Sequence, residues 1–170
     1  WSSDVCSSDL PSRLTSASSK GMLTEFNLEG ALLRRPQIIL VDEMAHANAP
    51  KSKHEKRYQD IEELLAAGID VYTTVNAQQI ESLNKTVTET LKVPDGEKIP
   101  DFIFDCAERV EFIDIEPEEL IKRYQEVIST GRGWPSGNIK ALIKKKNLDL
   151  LRELSLKRTT ERIAQVCNWR

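Results

Sequence analysis

The stretch IILVDEMAHANAP, residues 38–50, decides how this sequence is interpreted. It begins as a continuous apolar run after Pro36, which is typical of a strand buried on both faces in a parallel sheet. The run ends in Asp42 and Glu43, and a polar loop follows. Because ligands of open parallel sheets bind beyond the carboxyl ends of the strands, the two acids are candidates for a ligand site.

Further apolar patterns place this strand in an alternation of strands and helices. Helical spacing occurs in residues 24–35, 55–68, 76–91 and 116–128, and strand-like runs in residues 69–76 and 109–114. Three strand candidates are thus separated by helices. The sequence therefore predicts an α/β fold, a parallel sheet with helices on its faces.

Residues at the helix ends support this prediction. Gly68 stands where a helix C-cap is expected, and Asn76 and Gln79 fit the two positions of a capping box. Pro117 fits the first position of the next helix. That helix is predicted to face inward with four residues: Leu120, Tyr124, Val127 and Ile128.

The tail, residues 137–166, is helical by pattern, with a predicted break near Asn147 and a packing face of leucines. Its basic residues are Lys140, Lys144, Lys145, Lys146, Arg152, Lys157, Arg158 and Arg162. No aromatic residues alternate with them, and the net charge of the chain is −3. We therefore interpret the tail as a solvated helical connector, with a nucleic-acid or membrane-surface face as the alternative.

The first ten residues, WSSDVCSSDL, have neither the apolar nor the basic region of a signal peptide. They match the translation of a common sequencing adapter, so we interpret residues 1–10 as a non-native scar and expect the natural protein to continue upstream of Pro11. The rest of the chain is predicted to divide into residues 11–22 (disordered or loop), 23–135 (a truncated domain) and 136–170 (a helical extension of that domain).

Asp42 and Glu43 fit the Walker B element of a P-loop nucleotide site. Hard Mg²⁺ prefers oxygen ligands and keeps several waters, so Asp42 would hold it through water while Glu43 orients a water toward the γ-phosphate. The alternative is a pair of acids that only terminates a buried strand. No GxxxxGK[ST] phosphate-binding loop occurs in the sequence, but the expected upstream continuation makes this absence uninformative.

A cationic loop follows the acids, and it could contact phosphate or report its state. Its members are His46, Asn48, Lys51, Lys53, His54, Lys56 and Arg57. A solvated loop before a helix is the alternative, and the two histidines match no zinc spacing. Asn76 is predicted to cap the following helix and could also sense the γ-phosphate, whereas Thr73 and Thr74 are interpreted as ordinary strand residues.

Taken together, the motifs are specific enough to indicate one protein family. The stretch ILVDEMAHANAPKSKHEKRYQDIEELLAAGIDVYTTVNAQQIESLN resembles the N-terminal cytoplasmic domain of KdpD-type osmosensitive potassium sensor histidine kinases. The resemblance continues through IPDFIFDCAERVEFIDIEPEELIKR and NLDLLRELSLKRTTERI. The chain departs from the family pattern at Ala47 (threonine in the family), Lys51 (glycine), Gln79 (histidine) and in the stretch around Trp134.

The resemblance implies a P-loop-type three-layer parallel sheet with helices on both faces, followed by C-terminal helices. The Walker A half of that sheet would lie upstream of these residues. ATP and Mg²⁺ are the implied cofactors, with Asp42 and Glu43 as the Walker B acids, Asp42 holding Mg²⁺ through water, and His46 and Asn76 as further cofactor-binding candidates. These residues themselves are expected to be inactive, because the phospho-accepting histidine and the kinase core lie outside them.

The resemblance further implies a parent protein that is a sensor histidine kinase with four membrane spans. It would work as a homodimer and phosphorylate a response regulator that controls a potassium-uptake pump. These residues would then lie on the cytoplasmic side of the bacterial plasma membrane and would touch the membrane only through the parent's spans. The alternatives are a stand-alone P-loop NTPase or nucleoside-kinase-like enzyme, and a non-catalytic regulatory module of the same fold.

Overall fold

The computed structural model describes residues 14–18, 21–92, 96–129 and 143–167. The chain forms two compact units that divide between Val75 and Asn76. The described residues contain both helices and strands, so the predicted α/β class is confirmed. The only parallel sheet among them has two strands, and the three-layer arrangement stays a prediction.

The first unit contains four strands and two helices. They are β1 Leu14–Ser18, β2 Gly21–Glu25, α1 Leu28–Arg34, β3 Ile38–Val41, α2 Arg57–Ala66 and β4 Asp70–Thr73. β1 and β2 pair antiparallel, whereas β3 and β4 pair in parallel, with Val41 opposite Thr73. The helical connection α2 joins the two parallel strands, as a βαβ unit requires.

The predicted burial of β3 on both faces is wrong. Ile38 and Leu40 are 55% and 78% exposed, and Tyr72 on the same face of β4 is 61% exposed. The opposite face is covered, because Val41 is 3% exposed and α2 packs against β4. Among the described residues the sheet is therefore covered on one face, and an apolar run alone could not reveal which face that would be.

The N-terminal predictions also need correction. The loop predicted for residues 11–22 is wrong where the structure describes them, because Leu14–Ser18 and Gly21–Glu25 pair as antiparallel strands. The helix predicted for residues 24–35 begins only at Leu28, because Asn27 Oδ1 accepts the Gly30 N–H at 2.9 Å and caps it. Residues 11–22 are polar and lack the apolar alternation that indicates a strand in a sequence. Their composition therefore did not indicate the pairing of β1 with β2.

The second unit is mainly helical. It contains a 3₁₀ turn at Ala77–Gln79 and the helices α3 Glu81–Leu91, α4 Asp101–Asp105, α5 Pro117–Ser129 and α6 Lys145–Cys167. Its core includes Ile80, Val87 and Ile99, each at most 3% exposed. The backbone of Ile99 bonds to Gln79 and Glu81, which ties the chain before α4 to the start of α3.

Several expectations for this unit are settled by the described residues. The C-cap of the first unit's α2 is Ala67, and Gly68 directly after it has the left-handed φ of 79° that is typical of a glycine at this position. α5 begins at Pro117 as predicted. The third strand predicted for residues 109–114 is wrong, because no strand in the described ranges pairs with it and Ile113 is 76% exposed. Ile128, predicted to face inward, is 52% exposed.

In the described part of the tail, Ile143 and Lys144 are not helical and α6 begins at Lys145, so the helix boundary lies two residues before the predicted break near Asn147. Asn147 lies in the first turn of α6, and its N–H donates to Lys144 O at 2.8 Å. Residues 137–142 of the predicted tail lie outside the described residues, as do residues 1–13 and the stretch around Trp134.

We predict that Lys51→Gly stabilises the chain by about 0.5–1 kcal/mol. Lys51 has a φ of 78°, where a side chain is unfavourable, and it is exposed. The family pattern given above has glycine at this position. Urea denaturation of the 170-residue chain measures the effect, and Ser52→Gly is the matched control. Ser52 has no positive φ, so glycine there should be neutral or destabilising; equal effects of the two variants would contradict the prediction.

Candidate functional site

The candidate site lies where β3 and β4 end side by side. Since Val41 is paired with Thr73, the next residues, Asp42 and Thr74, are neighbours. Asp42 Oδ1 accepts a hydrogen bond from the Thr74 hydroxyl and another from the Glu43 N–H at 3.0 Å. The same Glu43 N–H also donates to Thr74 Oγ1 at 3.1 Å. Parallel register thus brings one carboxylate, one hydroxyl and one amide into a closed triangle.

Glu43 adopts a left-handed backbone conformation, with a φ of 54°. For a non-glycine residue this costs roughly 1–2 kcal/mol, and such residues are concentrated at functional sites. Hydrogen bonds on both sides hold the turn: Met44 N donates to Thr74 O and His46 N to Glu43 O, each at 3.0 Å. Met44 and the following alanine are buried, so the turn is anchored while the Glu43 side chain stays exposed.

Asp42 and Glu43 present their carboxylates to solvent. Asp42 Oδ2 has no hydrogen-bond partner within the described part of the chain, because both donors use Oδ1. An exposed carboxylate oxygen suits Mg²⁺, which commonly takes one or two carboxylates and keeps several waters. In the described ranges no three His, Cys, Asp or Glu side chains cluster closely enough to form a metal site of their own. The donor chemistry therefore fits an aquated Mg²⁺ held by Asp42.

The Arg57 side chain is mostly buried and donates a hydrogen bond to the backbone of the acidic turn. Its Nη1 donates to Asp42 O at 3.1 Å and its Nη2 to Glu25 Oε2 at 3.1 Å, and its side chain is only 13% exposed. His46 Nε2 lies 3.5 Å from Glu25 Oε1. Glu25, 9% exposed, thus joins both residues. The arginine that the sequence grouped with possible phosphate contacts is already engaged within the first unit.

The loop after His46 is organised by its own polar contacts. Asn48 Nδ2 donates to Asp60 Oδ2 at 2.7 Å and to His54 O at 3.1 Å. Burial raises the pKa of Asp60, and the hydrogen bond from Asn48 opposes that change. Hydrogen bonds from Lys53 and His54 lower the pKa of Glu63. These contacts occupy two of the predicted cationic residues, and they make the loop part of the fold.

Asn76 belongs to the second unit, where it precedes the 3₁₀ turn. Gln79 Oε1 accepts the Asn76 N–H at 2.9 Å, which is the return bond of the predicted capping box. The pair therefore caps the 3₁₀ turn, whereas α3 begins at Glu81 with Ile80 as its N-cap, so the prediction that Asn76 caps the helix itself is wrong. The sensing role of Asn76 stays a prediction.

The basic residues of α6 make contacts within the second unit. Arg158 pairs with Asp105 at 2.7 Å and Asp101 at 3.3 Å, and its guanidinium lies 4.9 Å from the centre of the Phe104 ring. Arg152 binds Asp114 and Glu116, Lys145 binds Glu118, and Arg162 donates to Ala107 O. The interpretation of the tail as a solvated connector is therefore wrong for Arg158, whose side chain is 10% exposed, whereas the paired Lys145 is still 63% exposed. No described helix has the length and apolar character needed to cross a membrane.

The structure brings three of the four predicted cofactor-binding residues into one network. Asp42 and Glu43 are adjacent, and His46 is linked to them through Glu25 and Arg57. Thr74 also belongs to this network, although its sequence position indicates only an ordinary strand residue. Its position was nevertheless recoverable, because Thr74 follows the second strand as Asp42 follows the first, and parallel pairing aligns such residues.

The chain matches the family model described as the osmosensitive K⁺ channel His kinase sensor domain, KdpD, over residues 8–163. That match begins inside the ten residues interpreted as a scar. The relatives are named sensor protein KdpD. The chain is 50% identical to the Clostridium acetobutylicum protein over 84% of the chain and 16% of that protein, and 48% identical to the Escherichia coli protein over 87% and 17%. It is 42% identical to the Mycobacterium tuberculosis protein over 78% and 15%.

The fold and the acids that follow β3 define an α/β module with a candidate ligand site. The chain belongs to the KdpD family of osmosensitive K⁺ channel His kinase sensor domains. It spans about a sixth of the length of the first two relatives.

Proposed function

We propose that the chain is the nucleotide-binding sensory region of a membrane sensor histidine kinase that regulates potassium uptake. The parent transfers a phosphoryl group from ATP to a histidine of its own and then to a response regulator. It acts as a homodimer, and these residues lie on the cytoplasmic side of the plasma membrane. The match to the sensor-domain family over residues 8–163 carries this proposal.

Nucleotide binding rests on the acids at the end of β3. Asp42 offers an exposed carboxylate oxygen, and the exposed Glu43 follows it on a turn held by four hydrogen bonds. When bound, Mg²⁺ neutralises charge on the nucleotide phosphates. Asp42 holds the hydrated ion, Glu43 orients a water, and His46 stands as a further polar contact to the nucleotide.

The sensor-kinase proposal is preferred to a stand-alone NTPase or nucleoside-kinase-like enzyme. The relatives reported above are named sensor proteins, and each is several times longer than the segment that this chain matches. The proposal also covers a regulatory module that binds nucleotide without hydrolysing it. The exposed acids bind the metal-nucleotide whether or not hydrolysis follows.

Nucleotide binding is tested in a full-length sensor protein that carries these residues. We expect Asp42→Asn to weaken Mg-ATP binding, measured by calorimetry, by about tenfold or more, since a charged metal contact is lost. Asp70→Asn is the matched control, because Asp70 is an exposed aspartate at the opposite end of the same sheet. If both variants bind Mg-ATP as the unchanged protein does, the assignment of Asp42 is wrong.

The parent's activity is tested separately. The full-length protein in membrane vesicles is incubated with radiolabelled ATP and its purified response regulator at low and high K⁺. Transfer of label that depends on K⁺ supports the proposal. Absence of label on both proteins would reject the kinase assignment. It would not affect the conclusion from the Mg-ATP binding measurement with Asp42→Asn.

A further inference from the structure

We propose that Thr74 is a positioning residue that orients Asp42 and Glu43 for a metal-nucleotide complex. This inference rests on the proposed nucleotide binding and goes beyond it, because it assigns a role to a residue on the neighbouring strand. Thr74 acts through the two acids and does not itself contact the ion.

The hydroxyl of Thr74 uses both of its hydrogen-bonding capacities at this site. It donates to Asp42 Oδ1 and accepts the Glu43 N–H at 3.1 Å. A hydroxyl has one hydrogen to donate, so donating to Asp42 leaves the oxygen lone pairs for the amide. One side chain therefore fixes both the carboxylate of the first acid and the left-handed backbone of the second.

This arrangement selects the oxygen that Asp42 can offer. Oδ1 receives two hydrogen bonds, from Thr74 and from the Glu43 amide, whereas Oδ2 has no partner in the described ranges. Holding Oδ1 in this way restricts the Asp42 rotamer and leaves Oδ2 as the oxygen that can bind a ligand. A pre-oriented oxygen binds a hydrated ion better than a freely rotating carboxylate, because the rotational entropy is already lost.

Threonine suits this task better than the other small polar residues. Branching at Cβ restricts χ1, which keeps the hydroxyl aimed at Asp42. Thr74 is exposed, so its methyl group contributes little to the core. Loss of the hydroxyl should therefore change the geometry of the acids more than the stability of the fold.

The preceding residue supplies a matched control. Thr73 Oγ1 is shielded from solvent and has no hydrogen-bond partner among the described residues. Thr73→Val removes a hydroxyl from the same strand, one residue away, without breaking a described hydrogen bond. The two substitutions are chemically identical, and only the Thr74 hydroxyl touches the acids, although the Thr73 hydroxyl is also the more buried of the two.

The test uses a full-length sensor protein carrying these residues, with Mn²⁺ as a paramagnetic substitute for Mg²⁺. We measure the affinity for ADP with and without Mn²⁺, and the electron paramagnetic resonance spectrum of bound Mn²⁺. Thr74→Val should weaken the metal-dependent affinity about five- to tenfold and alter the spectrum, as expected for a lost hydrogen bond to a charged group. Metal-free ADP affinity should stay the same. Thr74→Ser should restore binding to within about twofold, and Thr73→Val should match the unchanged protein.

The outcomes separate this inference from the proposed function. If Asp42→Asn weakens Mn-ADP binding and Thr74→Val does not, Thr74 has no positioning role but the nucleotide site stands. If Asp42→Asn and Thr74→Val both bind Mn-ADP as the unchanged protein does, both fail, because the binding then belongs to the kinase core. Equal losses in Thr74→Val and Thr73→Val, or an equal loss of metal-free ADP affinity, would point to a general structural effect and overturn the inference.

Discussion

Replacing Arg57 with methionine is expected to lower the free energy of unfolding of the first unit by about 3–5 kcal/mol. Arg57 and Glu25 are both nearly buried, with side chains 13% and 10% exposed, and they pair at 3.1 Å. Methionine keeps most of the length of the side chain but leaves the Glu25 carboxylate buried without its cation. The bond from Arg57 to Asp42 O is lost as well.

Native-state hydrogen exchange of the amides in α2 and β4 measures this loss in the 170-residue chain. Arg34→Met is the matched control, because Arg34 is exposed at the end of α1 and should change stability by less than about 0.5 kcal/mol. Combining Arg57→Met with Glu25→Leu should recover much of the loss, since no buried charge remains. An effect of Arg57→Met as small as that of Arg34→Met would contradict the prediction.

The second large effect is expected at Arg158, where methionine should destabilise the second unit by about 2–3 kcal/mol. The arginine side chain is 10% exposed and pairs with Asp101 and Asp105, which are 34% and 37% exposed. Its loss removes both ion pairs and the stacking on Phe104. Because water can still reach the two carboxylates, the expected loss is smaller than for Arg57.

Hydrogen exchange of the α3 and α4 amides reports on this substitution. Arg123→Met is the matched control, because the Arg123–Glu119 pair is exposed on α5 and such helical pairs contribute only about 0.3–0.5 kcal/mol. Arg158→Lys should lie between the two, since lysine keeps the charge but loses the planar, forked geometry. A loss in Arg158→Lys equal to that in Arg158→Met would show that the geometry of the guanidinium, and not its charge, stabilises the unit.

Most of the helices were predictable because their signals are local. Three such features each depend on residues within one turn of each other. They are the glycine at the end of α2 (Gly68), the start of α5 at Pro117, and the Asn76–Gln79 hydrogen bond. Spacing within one segment is sufficient for such features. The strand predicted for residues 109–114 failed because a strand is defined by a neighbour that pairs with it, and composition does not supply that neighbour.

The sequence by itself determined the family, the α/β class and the acids at the end of β3. Each of these is recognised from patterns of residues that are close together in the chain. Only the tertiary structure decided what holds those acids. Thr74 is 32 positions from Asp42, and Glu25 is 32 positions from Arg57. Such contacts depend on strand register and on the path of the connecting chain, and a local pattern encodes neither. The same reason explains why three basic residues of the tail, Lys145, Arg152 and Arg158, pair with acids of their own unit.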